Sequence, residues 1–155
     1  MSYVTQNTVW LADDQILPPA VRQILARFYE LADDRSPDAG PRMAAEVFST
    51  DAVLFGAGSD PQGTAGATAI SKSRDHAWNV VDRRRHTIER VFGSADGREV
   101  MLIGSLDTTL KNGRSLVVPF TAHVNVVRQD GDTPRIQMMH VYADSAPLTT
   151  ALKAA

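Results

Sequence analysis

The sequence predicts an α+β domain in which helices pack on one face of a curved, mainly antiparallel sheet. Two observations predict it. Apolar residues recur at helical spacing through the first half of the chain, and from His86 onward the period changes to alternation. The alternating segments are joined by short polar turns, the pattern of a meander that follows its helices. A length of 155 residues with 43% hydrophobic and 22% charged side chains fits one such domain. The expected boundaries are an N-terminal extension over 1–17, a single domain over 18–148 and a C-terminal tail over 149–155.

Pro18-Pro19 supplies a helix start, because proline at the first helical position loses no hydrogen bond. Val21, Ile24, Leu25, Phe28, Leu31 and Ala32 follow on one helical face. Asp33-Asp34-Arg35-Ser36-Pro37 ends this helix, and Pro41 opens a second, short one through Met43, Ala44, Val47 and Phe48. Asp51 to Phe55 reads as a short strand. The glycines and proline of 56–66 make a loop, and a helix returns over 67 to about 81, with Ile70, Ala77, Trp78 and Val81 available for burial. Arg83-Arg84-Arg85 is expected as its solvated end. Strands are then expected at about 86–92, 98–110, 115–128 and 135–143, with Asn112-Gly113 as the clearest hairpin turn because both residues tolerate positive φ.

Composition excludes several function classes. A net charge of −2, without a basic stripe beyond the arginine triplet, gives no footprint for nucleic acid. No apolar run approaches the ~20 residues of a membrane span, and the first residues lack the basic region and apolar core of a signal peptide, so a cytoplasmic protein is expected. Cysteine is absent, which removes disulfides, thiolate metal sites and cysteine nucleophiles. The four histidines lack zincin spacing, the glycine loop follows no long strand of a βαβ unit, and no serine sits in a nucleophile elbow; neither metal nor cofactor is expected.

The last third interrupts its alternating apolar strands with Asp107, His123, Asn125 and His140, each of which must be exposed, hydrogen-bonded or turned into a pocket. With a two-residue turn at Asn112-Gly113, Asp107 pairs with Val118 and its face continues through Phe120, Ala122 and Val124, apolar surroundings that would raise its pKa. The alternative is an exposed aspartate near a strand end. His123 then falls on the opposite face, unless a bulge at Pro119 restores it to the Asp107 side. The outer face would carry Leu102, Leu106 and Val117. Tyr29, Phe55, Trp78, Phe120 and Met139 are candidates to line an apolar pocket, or else to fill the core. His86 serves either to cap the chain locally or to reach a ligand.

The order and spacing of several segments resemble the SnoaL-like branch of the nuclear-transport-factor-2-like superfamily. They are Phe28-Tyr29 in the opening helix, Val47-Phe48-Ser49-Thr50-Asp51-Ala52-Val53, Gly63 through Ile70 ahead of Trp78, Arg85-His86-Thr87-Ile88-Glu89-Arg90-Val91, and His140-Val141-Tyr142-Ala143-Asp144. The match covers roughly Pro18 to Leu148. It implies a cone-shaped barrel around one apolar pocket, often in a homodimer, in a fold shared with ketosteroid isomerase, scytalone dehydratase and limonene epoxide hydrolase. It does not fix a reaction. The epoxide hydrolases and cyclases of this family carry an essential aspartate where this chain has Val141, and the isomerases place their base where Phe55-Gly56-Ala57-Gly58 stands.

The expected function is therefore cofactor-independent proton transfer on a hydrophobic polycyclic secondary metabolite, of isomerase, cyclase or dehydratase type. Asp107 would be the acid or base, His123 or His140 its partner, and Tyr29 a donor to a developing oxyanion. The alternative is a non-catalytic small-ligand-binding or dimerisation module of the same fold.

Overall fold

The computed structural model describes residues 1–57 and 61–154; residues 58–60, within the expected glycine loop, lie outside the described set, as does Ala155. A 3₁₀ turn at Tyr3–Thr5 precedes β1 (Val9–Leu11), α1 (Pro19–Ala32), α2 (Ala39–Glu46), β2 (Phe48–Phe55), β3 (Thr64–Ala65), α3 (Ala67–Lys72), β4 (Val81–Gly93), β5 (Glu99–Leu110), β6 (Ser115–Gln129), β7 (Thr133–Ala143) and α4 (Ala146–Lys153). The strands form one sheet in the order β1-β4-β5-β6-β7-β2-β3. The β4–β5, β5–β6, β6–β7 and β2–β3 pairings are antiparallel, whereas β1–β4 and β2–β7 are parallel. Among the described residues four α-helices pack on this curved, unclosed sheet, so the α+β expectation holds.

The core lies between α1 and one face of the central strands. Val21, Leu25, Phe28, Tyr29 and Leu31 of α1 join Val100 and Leu102 of β5, Phe120, Ala122 and Val124 of β6, and Ile136 and Met139 of β7 in a single buried cluster. One turn of the helix after another thus presents its i, i+3, i+4 stripe to a surface built by period-two alternation. The first residues take part: Val4 and Leu17 are buried in this cluster, and β1 pairs with Val91 and its neighbours on β4.

Several sequence expectations need correction. The helix expected over 67–81 ends at Lys72. Asp75, Ala77 and Asn79 each donate a backbone N–H three residues back, giving successive turns, and β4 then begins at Val81. Arg83-Arg84-Arg85 is consequently strand rather than solvated helix end. The hairpin after β5 is also longer than two residues: Leu110 N–H donates to the Arg114 carbonyl at 2.8 Å, and the register pairs Thr109 with Ser115 and Asp107 with Val117. A slip of one residue exchanges the faces of a strand. Leu102 and Leu106 therefore face the core instead of the outside, whereas Val117 is 64% exposed on the outer face.

Gly104 explains how the largest ring of β6 enters the core. A Cβ built on it would lie 2.5 Å from the Thr87 carbonyl oxygen and 2.6 Å from Phe120 Cζ, so the absent side chain is the space the Phe120 ring occupies. Gly104→Ala should cost about 1–3 kcal/mol by overpacking, measured as a lower denaturant midpoint with unchanged slope. A midpoint within error of wild type would show that the ring has room to move.

Candidate active site

The expected site residues divide between the two faces of the sheet. Tyr29, Phe120 and Met139 are inside and buried. Asp107, His123, His140 and Phe55 are not. Asp107 shares the outer face with Val117 and forms a 2.6 Å ion pair with Arg83, both side chains being about half exposed (44% and 50%). Its placement against Phe120 in an apolar pocket is thus overturned, by the one-residue register difference described above. That register puts Asp107 and His123 on a common face with Pro119 opposite Ser105 in an unbroken ladder, and no bulge is involved. His123 Nε2 lies 3.2 Å from Glu99 and stands opposite His140 across the β6–β7 ladder. Asn125 is on the same side, with its Oδ1 buried and unpartnered among the described residues.

His140 is sandwiched on that outer face. Its ring stacks on Phe55 at 4.9 Å and on Tyr142 at 4.1 Å, and its Nδ1 is 3.1 Å from the Tyr142 hydroxyl. An open cavity of about 740 Å³ lies beside the stack, bordered also by Ile103, Pro119 and Thr121. Trp78 belongs to neither set. It sits half-buried in the turns after α3, donates from Nε1 to the Asp34 carbonyl at 3.3 Å, and carries the Arg35 and Arg84 guanidinium groups over its ring.

The buried ionisable groups gather elsewhere, at the C-terminal end of α1. Asp33 follows Tyr29 by one helical turn, and its carboxylate accepts three hydrogen bonds: from His86 Nδ1 at 2.6 Å, from the His86 backbone N–H at 2.7 Å and from the Tyr3 hydroxyl at 2.8 Å. The side chains of Asp33 and His86 are only 6% and 11% exposed. The His86 ring packs 5.0 Å from Tyr29 and 5.7 Å, edge on, from Phe120. Arg84, two residues before His86 on β4, lies on the same strand face by alternation, donates to the Ala77 carbonyl at 3.2 Å and repels a proton on His86. Arg74 donates to the Ala32 carbonyl at 2.5 Å, where the negative end of the α1 dipole accepts a cation.

Charge distribution follows from this packing. Burial, together with the positive fields of Arg84 and Arg74, outweighs the Asp33 hydrogen bond and charge and lowers the His86 pKa, leaving a neutral ring at neutral pH. Burial alone would raise Asp33, but the hydrogen bonds from the His86 ring and backbone and from Tyr3 hold its carboxyl below the ordinary range. The ion in the pair is therefore the carboxylate. A neutral imidazole that gives Nδ1–H to Asp33 keeps its lone pair on Nε2, the arrangement of a general base whose tautomer is fixed by a buried acid. Tyr29, with its hydroxyl buried and unpartnered among the described residues, has its pKa raised by burial and then by the Asp33 charge, and so remains a neutral donor.

Sequence reasoning passes over Asp33, which reads as a helix end, together with Arg74 and Arg84. The available signal is Arg84-x-His86-x-Ile88, a period-two run that points three side chains to one face once the strand is started at Val81 rather than His86.

No protein-family model matches the chain, and no curated protein matches it. Solved structures do. The chain is similar to Aln2 from a Streptomyces species, with a TM-score of 0.66 at 21% identity over 90% of this chain and 99% of that one. It is similar to an NTF2-like protein of unknown function from Burkholderia pseudomallei, with a TM-score of 0.66 at 18% identity over 86% and 97% of the two chains. A putative SnoaL-like polyketide cyclase from a Jannaschia species aligns with a TM-score of 0.66 at 15% identity over 86% and 92%. The chain has the fold of these proteins, as its sequence pattern suggested.

Proposed function

We propose that this SnoaL-like, NTF2-like fold is a cofactor-independent enzyme that moves a proton on a hydrophobic, ring-containing metabolite, with His86 as the acid/base group and Asp33 as its partner. The observation that carries the reading is the buried 2.6 Å bond between Asp33 and His86 in the interior of the cone. His86 Nε2 removes a proton from a carbon acid next to a carbonyl, and the electron pair left behind moves onto the carbonyl oxygen. The Tyr29 hydroxyl donates to that oxygen as charge develops. Asp33 stabilises the imidazolium so formed, which returns its proton at a different atom to complete an isomerisation, ring closure or dehydration. The test is deuterium incorporation from D₂O, followed by NMR, into the acidic C–H positions of a panel of polycyclic β-keto esters. Incorporation that depends on His86 supports the reading, and none by the wild-type protein overturns it.

A second reading, a small-ligand-binding module, is favoured by one observation: Phe28, Tyr29, Phe48 and Phe120 fill much of the interior, while the cavity of about 740 Å³ lies outside against Phe55, His140 and Tyr142. On that reading His140 orients a flat ligand and catalyses nothing.

The same outer face exposes Met101, Ile103, Val117 and Tyr142, which suits a two-fold homodimer packed sheet to sheet. Sedimentation at micromolar concentration should give a dimer that Val117→Arg dissociates. A monomer for the wild-type protein contradicts the assembly and leaves the outer cavity open to ligand.

A further inference from the structure

Among the described residues, three buried polar atoms near the Asp33–His86 pair have no partner: Arg74 Nε, Arg84 Nε and the Tyr29 hydroxyl. Each arginine already commits one terminal nitrogen to a backbone carbonyl, Ala32 for Arg74 and Ala77 for Arg84. Those bonds hold the two guanidinium planes while leaving each Nε–H without an acceptor. Unpaired buried donors of this kind require one. Charge adds a second argument. Arg74 and Arg84 act on each other and on His86 through space, and Asp33 is the carboxylate that acts on both, so two buried cations face one anion beside a neutral imidazole. A buried excess of positive charge is stabilised by an anion that enters with the ligand. A third observation is open space beside one of the two arginines: a cavity of about 370 Å³ has Arg74 in its wall, with Asp34, Arg35, Gly40, Asp75 and Trp78. Of its two acids, Asp34 is engaged by the Ser36 backbone N–H at 2.8 Å.

We propose that the ligand is an anionic ring compound, an aromatic or polycyclic carboxylate or comparably acidic enol, whose charged oxygens are held by Arg74 Nε and Arg84 Nε with the Tyr29 hydroxyl as a further donor. The proposal rests on the interior being the ligand site, as above, and it replaces a neutral polycycle by an acid. Guanidinium edges suit planar oxyanions, which a ketone or ester oxygen matches poorly.

Calorimetric titration with 2-naphthoate and with its neutral methyl ester tests the proposal. The acid is expected to bind at least about tenfold more tightly than the ester, the scale of one charge-assisted contact, and to weaken with added salt. Arg84→Gln should remove that preference while leaving ester affinity within about twofold, and Arg74→Gln should do the same. Because Arg74 also caps Ala32, Arg84→Gln decides the matter if the Arg74 variant fails to fold. Equal affinity for acid and ester, naphthoate binding untouched by Arg84→Gln, or binding of neither compound would each overturn the proposal. His86→Gln separates it from the catalytic reading. If naphthoate selectivity persists but deuterium exchange does not depend on His86, the chemistry fails and the ligand class stands; if exchange depends on His86 while selectivity is absent, the reverse holds.

Discussion

His86→Gln is expected to reduce deuterium exchange into a bound carbon acid by about 10²–10⁴-fold, the usual contribution of a positioned acid/base group. Glutamine keeps most of the imidazole's bulk and can still donate to Asp33, so the variant should fold with little loss of stability. The conservative change at the partner, Asp33→Asn, should act in the same direction, because an amide can accept from Nδ1 but cannot balance the imidazolium charge. Asp107→Asn supplies the contrast. Its carboxylate is half exposed on the other side of the sheet, paired with Arg83, and exchange should be unchanged. Retention of full activity by His86→Gln would contradict the assignment, as would loss of activity in Asp107→Asn.

Asp33→Ala should be the most destabilising single change at the site, by about 3–5 kcal/mol, because it strands the His86 N–H, the His86 Nδ1–H and the Tyr3 hydroxyl in a buried setting. The sign of the pH dependence follows from the same geometry. Asp33 has a folded pKa below its unfolded value, so the stability it contributes is present above the ordinary carboxylate range and is lost as pH falls through the folded value. His86 is likewise lowered on folding. The unfolded chain therefore binds the extra proton first, and stability declines as pH falls below about 6.5, the ordinary histidine value. Chemical denaturation between pH 8 and pH 4 should show this decline in the wild-type protein. His86→Gln should remove the portion that begins near neutrality. A flat wild-type profile over that interval would contradict the buried neutral histidine.

The fold is legible in the sequence because its strongest elements obey local rules. The Val21-to-Ala32 stripe of α1 and the alternation of β5 to β7 need nothing beyond side-chain period. What escapes notice depends on distant pairing. The three residues of β1 are held by β4, and β2 runs parallel to β7, associations between segments tens of residues apart that leave no local periodicity. The site turns on a smaller thing still. One residue in the turn at Lys111 to Arg114 decides whether Asp107 looks at Phe120 or at solvent, and the sequence of that turn suits more than one loop length. Asp33 and Arg84 look like helix-end solvation because charged residues at helix ends usually are. Only the early start of β4 at Val81 turns Arg84 and His86 inward toward Asp33.

A neutral His86, held by Asp33 at an interior ligand site, has a direct signature in the ¹⁵N resonances of its ring at pH 7, recorded with and without 2-naphthoate. The expected spectrum is that of a neutral ring protonated at Nδ1, with an Nε2 signal that moves when the acid is added. An imidazolium, a ring protonated at Nε2, or an Nε2 signal indifferent to the ligand would contradict it.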